Sequence, residues 1–133
     1  MELTKNFDVR NERNLTMLVD FYELTMGNGY LKNGVGDKIA YFDMFFRKKP
    51  DGGGYCIMAG VTQLIEYLSN LKFSKDDIDY LESKGGFSED FLDYLRNFKF
   101  SCDVWAIPEG NPVFPNEPLV TVKGPAIQAQ FVE

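Results

Sequence analysis

The sequence predicts an α+β fold, with helices packed on short, mostly antiparallel strands. Three observations point there. Apolar residues recur at spacings of three and four through the first half and middle of the chain, which is the helix period. Lys38 to Phe46 alternates as a strand, and after Asp103 the texture changes to short extended pieces punctuated by prolines.

In chain order, Leu15, Leu18, Val19, Tyr22 and Met26 describe one face of a helix beginning near Asn14, and Gly27 and Gly29 weaken its end. The strand from Lys38 to Phe46 follows, with Met44 and Phe46 able to pack inward. The short run Tyr55 to Met58 can pair with it across Gly52, Gly53 and Gly54, which predicts a hairpin. Val61, Leu64, Ile65 and Leu68 mark an amphipathic helix that stops near Asn70. Ser74 with Asp77 three residues on resembles a capping arrangement for a helix carrying Ile78 and Leu81, closed by Gly85 and Gly86. Ser88 caps the next helix. Glu89 and Asp90 sit in its first turn against the dipole, and Phe91, Leu92, Leu95 and Phe98 form its buried stripe.

Beyond Asp103 come Val104 to Ile107, Val113-Phe114 and Leu119 to Val122, with prolines at 108, 112, 115, 118 and 125 that favour edge strands and turns over a central sheet. Pro125 can open a helix whose apolar face begins with Ile127, Phe131 and Val132. A helix of about two turns does not support itself, so the expectation is a fragment of a longer folded body.

The totals bound the function. A chain of 133 residues is about one domain, and its 12 Phe, 7 Tyr and 1 Trp supply apolar area for a real core. A net charge of -6 offers no field for nucleic acid or an anionic membrane, so any anion must be held locally. No apolar run approaches the ~20 residues that span a bilayer. The start, Met-Glu-Leu-Thr-Lys-Asn-Phe-Asp, lacks the layout of a signal peptide, so the cytoplasm is expected. Cys56 and Cys102, isolated in apolar stretches, read as packing thiols rather than a disulfide framework. The chain has no histidine, which argues against a zinc site and against stand-alone acid-base catalysis.

The densest chemistry lies from Phe42 to Gly60, where an aromatic strand runs into Arg47, Lys48 and Lys49 and then into three glycines. Cations beside an uncrowded backbone suit phosphate or carboxylate, and the same letters also suit a solvated flexible loop.

Several stretches carry a resemblance: Asp20-Phe21-Tyr22-Glu23-Leu24-Thr25-Met26, Phe42-Asp43-Met44-Phe45-Phe46-Arg47, Gly52-Gly53-Gly54-Tyr55 and Ala59-Gly60. Pro108-Glu109-Gly110-Asn111-Pro112-Val113-Phe114-Pro115, Glu117-Pro118-Leu119, and Gly124-Pro125 with Gln130 and Glu133 complete the set. In this order they resemble the N-terminal region of nicotinate phosphoribosyltransferase across nearly the whole chain. The resemblance implies that residues 1–133 are the N-terminal domain of a type II phosphoribosyltransferase, one that flanks an α/β barrel. The barrel and a transiently phosphorylated histidine are then expected in later sequence. The implied full-length activity forms nicotinate mononucleotide and pyrophosphate from nicotinate and phosphoribosyl pyrophosphate, with Mg²⁺ and ATP hydrolysis, in NAD salvage. Its partners would be the chain's own C-terminal barrel and a second subunit of a homodimer. The fragment alone would be inactive, with no catalytic or metal-ligating residue of its own and no bound cofactor.

The resemblance also assigns binding residues. Tyr22 falls at the tyrosine that reaches the pyridine ring, though by spacing alone it reads as core. Arg47 falls at the arginine that meets the phosphates, with a fork geometry suited to phosphate oxygens. Lys48 is a further candidate beside it, and Asp20 can orient a neighbouring cation. Glu109 and Glu117 read as turn residues. Two other classes fit parts of the sequence: a biotin- or lipoate-type carrier module displaying Lys123, and an interaction domain without catalysis.

Overall fold

The fold is given by a computed structural model that describes residues 14–133. The amino terminus read above for a leader, Met1 to Asp8, lies outside the described residues.

The elements run α1 (Phe21–Lys32), β1 (Ile39–Met44), β2 (Cys56–Ile57), α2 (Val61–Asn70), α3 (Lys75–Lys84) and α4 (Glu89–Arg96). Then come β3 (Asp103–Ala106), β4 (Pro112–Val113), β5 (Val120–Pro125) and α5 (Ala126–Gln130). The expected α+β class is therefore observed, and the strand pairings are antiparallel.

The middle helices form where their capping chemistry places them. Ser74 accepts from the Asp77 amide while the Asp77 carboxylate accepts from the Ser74 amide, a complete capping box. Gly85 and Gly86 end α3 at φ 69° and 86°, a left-handed region closed to most side chains. Ser88 caps α4 by accepting from the Phe91 amide.

The first helix departs from expectation. It starts at Phe21 rather than near Asn14, and the stripe read from spacing is largely exposed: Leu18 is 81% and Tyr22 49% accessible. The face that enters the core is instead Leu24 and Gly27, with Leu31 packed alongside. Gly27 does not fray the helix; it is where α1 meets Phe131 and Phe91. Tertiary packing selected the narrow side of the helix, because a glycine lets two aromatic rings approach its backbone.

The predicted hairpin between β1 and the Tyr55–Met58 run does not form. β1 pairs with β5, register Phe42 to Val122 and Met44 to Val120, and β2 pairs with β4. The apolar register explains the choice, since Val120 and Val122 offer β1 a long buried face and a two-residue β2 cannot. β5 is also the central strand of the three-stranded sheet β1-β5-β3, contrary to the edge position that the prolines suggested. Pro125 is tolerated because it stands last in the strand and directly precedes α5.

Two apolar clusters result. Leu24, Ile78, Leu81, Phe91, Leu95 and Phe131 lead the helical one, and Met58, Val113, Leu119, Val120 and Val122 the sheet one. α5 lies between them, giving Ile127 to the first cluster and Ala129 to the second. Each large side chain so buried contributes roughly 1.5–3 kcal/mol. Phe131 is the hub, with ring centroids of Phe73, Phe91 and Phe98 at 5.8, 6.3 and 5.8 Å.

Candidate functional site

The site begins where β1 leaves the sheet. The Leu119 amide donates to the Met44 carbonyl at 2.8 Å, and the Asn116 amide to the Phe46 carbonyl at 2.9 Å. These bonds carry the strand direction past its last ladder pair and set Arg47 on the rim of a cavity of about 570 Å³. Phe42, Met44, Leu64, Leu68, Val120 and Val122 line it. Phe46 packs half-buried into the sheet cluster as expected, whereas Met44 is half-exposed because it faces this opening.

A second cavity of about 640 Å³ lies along α1, lined by Asp20, Tyr22, Glu23, Leu64, Tyr67 and Phe131 among others. The two cavities share Leu64, Val132 and Glu133, so they form one groove in two parts. Three of the residues chosen from sequence come together here: Asp20 and Tyr22 in one part, Arg47 in the other. Lys48 lines neither part and is exposed with Lys49, as the solvated-loop reading requires. In that loop the Asp51 carboxylate accepts from the Gly53 amide at 3.2 Å, and Gly52 takes φ 71°.

The electrostatics around Tyr22 are acidic. Glu23 is only 4% exposed. Burial first, then the charges of Glu133 and Asp20, push its carboxyl above the usual range, and a hydrogen bond with Tyr22 opposes them. The Tyr22 phenol is raised by desolvation, then by Glu133, Glu23 and Asp20. Tyr67 on α2 is raised by burial, with Glu23 adding to it.

Residues to which the sequence reading gave no binding role also support the groove. Gln130 is 2% exposed and donates from Nε2 to Oε2 of Glu133 at 2.9 Å, while the Tyr30 hydroxyl donates to Gln130 Oε1 at 3.4 Å. Both residues stand among those that carry the resemblance, which gave neither of them a role, and their three-residue spacing suits a local contact. Glu109 is more than a turn residue: its carboxylate accepts from the Thr62 amide at 3.1 Å and caps α2, whose own N-terminal residue, Gly60, offers no side chain. It thereby fixes the helix that supplies Leu64, Tyr67 and Leu68.

Among the described residues no group of three His, Cys, Asp or Glu side chains is arranged to hold a metal, and Cys56 and Cys102 are free thiols. Lys123 lies in β5, opposite Tyr41, with its ammonium 5.4 Å from that ring centroid. A carrier module displays its lysine at a hairpin tip, so the structure removes that reading.

Fold and groove together define an α+β domain with an open, two-part groove along one side. Residues 17–133 match the family profile described as the nicotinate phosphoribosyltransferase (NAPRTase) N-terminal domain, and the chain belongs to that family. It is 42% identical over 117 residues to a nicotinate phosphoribosyltransferase of Mycobacterium tuberculosis, covering 88% of this chain and 25% of that protein. The Bacillus subtilis nicotinate phosphoribosyltransferase is 39% identical over 119 residues, covering 90% and 24%. The crystal structure of human nicotinic acid phosphoribosyltransferase superposes with a TM-score of 0.79 at 32% identity, covering 86% of this chain and 24% of that one. The chain thus spans about a quarter of the length of the relatives it matches.

Proposed function

We propose that this chain works as the N-terminal domain of a nicotinate phosphoribosyltransferase. The observation that carries the proposal is the shared groove, with a half-exposed aromatic in one part and an arginine on the rim of the other. In the reaction the pyridine nitrogen forms a bond to the anomeric carbon of phosphoribosyl pyrophosphate. The C–O bond breaks, and its electron pair leaves with pyrophosphate. Tyr22 offers a flat face to the pyridine ring. Arg47 offers a charge that survives any working pH to a phosphate group, without a proton transfer. That division of labour suits a domain with no histidine.

The remaining machinery belongs to the larger enzyme. Its barrel would hold the sugar phosphates, ATP hydrolysis would drive the synthesis, and Mg²⁺ would accompany the phosphates. Among the described residues no group of three His, Cys, Asp or Glu side chains is arranged to hold that ion. A homodimer would let this domain close over the barrel of the other subunit, and the cytoplasm suits such a salvage enzyme. Among the described residues no helix is long and apolar enough to cross a membrane. The 133-residue chain alone would be inactive.

The test is steady-state kinetics on the enzyme that carries this domain. Tyr22→Ala should raise the nicotinate KM, and Arg47→Ala the phosphoribosyl pyrophosphate KM, each by about tenfold or more. Unchanged constants in folded variants would remove these residues from the site, and turnover by the isolated chain would overturn the division of labour.

A further inference from the structure

We infer that the apolar floor of the groove seats protein rather than substrate: the residues that follow Glu133 in the longer enzyme continue α5 as a helix and pack between α2 and β1. This goes beyond the substrate reading and leaves Tyr22 and Arg47, both exposed, free to meet a ligand.

An unburied face is the first argument. Spacing gives α2 an apolar stripe, yet none of its ten residues is buried. Leu64 and Leu68 line one opening together with Phe42, Met44, Val120 and Val122. A helix this short draws its stability from packing of its apolar face, and here that face has nothing on it. Nicotinate and phosphoribosyl pyrophosphate are anions, and a charge set among these six side chains loses water without gaining a partner. The occupant that matches them is apolar.

The direction of α5 is the second. Ile127 to Gln130 are all buried, and Phe131 after them keeps helical angles, φ -70° and ψ -14°. No glycine or proline follows through Glu133. The Glu133 amide donates to the Gln130 carbonyl at 3.3 Å, and the two side chains meet at 2.9 Å, a helical spacing for both bonds. The backbone therefore leaves α5 without a stop signal. Val132 and Glu133 line both parts of the groove, so the residues after them enter it.

Length is the third. The chain matches the N-terminal domain of its family and spans about a quarter of its relatives. α5 has five residues, against about 10–14 in an average helix. A segment tethered beside the groove is present there at high effective concentration, so it fills the site ahead of a second copy of the domain.

The experiment places the photo-crosslinking residue p-benzoylphenylalanine in the enzyme that carries this domain, in place of Met44 on one wall and, in a second variant, of Leu68 on the other. Met44 is half-exposed, so the larger ring has room. Irradiation should join each position to residues just beyond Glu133 in the same chain, giving a product of single-chain mass whose attachment point is read by fragmentation. Attachment in both variants to another copy, to a distant segment, only to residues up to Glu133, or to nothing would overturn the inference. Leu68→Ala should also lower the melting temperature of that enzyme by about 5 °C or more, as a buried leucine does. Ile65, 58% exposed and lining neither part, is the control, and a Leu68→Ala loss no larger than that of Ile65→Ala would likewise overturn it. An enzyme that crosslinks as expected but forms no nicotinate mononucleotide would overturn the proposed function and support this inference.

Discussion

Gly27 lies directly against Phe131: a β-carbon built on the glycine would sit 2.8 Å from Cε1 of that ring. The ring cannot retreat, because it is buried among Phe73, Phe91 and Phe98. Gly27→Ala therefore sets a helix-propensity gain of about 1 kcal/mol against crowding of about 1–3 kcal/mol. The expected net result is a loss of about 1 kcal/mol in urea unfolding. Gly29, two residues on and with nothing within 4 Å of its built β-carbon, is the control, and Gly29→Ala should gain up to about 1 kcal/mol.

Gly124 is tighter still. Its built β-carbon would meet Cys102 at 2.4 Å from Sγ, 2.9 Å from Cβ and 3.0 Å from the backbone Cα. Backbone held in a sheet yields even less than a ring packed among other rings. Gly124→Ala should therefore cost more than Gly27→Ala, about 3 kcal/mol in the same unfolding measurement. An equal or smaller loss would mean that β3 and β5 are less closely held than the structure has them.

Asn28 ties α1 to the start of α4. Its Oδ1 accepts from the Ser88 amide at 3.1 Å and the Ser88 hydroxyl at 2.9 Å, and its Nδ2 donates to the Gly86 carbonyl at 3.2 Å. Ser88→Ala removes both the cap and one strut, for a loss of about 1–2 kcal/mol. Asn28→Ala should cost a similar amount, and the double variant less than the sum, because the two residues share one network.

The Glu23 carboxyl titrates higher in the folded chain than its ordinary value of 4.5. Ionising it therefore opposes folding. The penalty is absent below the unfolded value, grows as pH rises from there to the raised folded value, and is complete above it. Glu23→Gln keeps the shape without the charge. Melting curves should show variant and wild type close together at acid pH and the variant more stable at neutral pH. A variant that is less stable at neutral pH would sink the assignment of an opposed buried charge.

Local chemistry was legible where it was also decisive. Ser74, Asp77, Ser88 and the Gly85-Gly86 pair set α3 and α4 by contacts within a few residues, so reading them from the sequence succeeded. Helix α2 was equally plain, although Ile65 on its predicted stripe is 58% exposed. The face of α1 and the partner of β1 were not legible, because both are chosen by residues about a hundred and about eighty positions away, Phe131 and Val120 to Pro125. Tyr22 was chosen through the resemblance, since spacing alone places it in the core, whereas Arg47 was first singled out by the three cations that precede three glycines. The Gln130–Glu133 hydrogen bond and the capping of α2 by Glu109 were not legible, because the first depends on how the chain leaves α5 and the second joins residues 47 positions apart.

Because β5 is hydrogen-bonded on both sides, neither β1 nor β3 has its sheet partner until residues 120–125 have been made. The same is true of the helical cluster, which lacks Ile127 and Phe131 until α5 follows. On a ribosome, the first hundred or so residues should therefore emerge without a sheet, with α3 and α4 alone among the described helices of that stretch carrying their own side-chain caps. In that window Phe42, Val104 and their neighbours are open to chaperones, and the domain closes late, in one cooperative step.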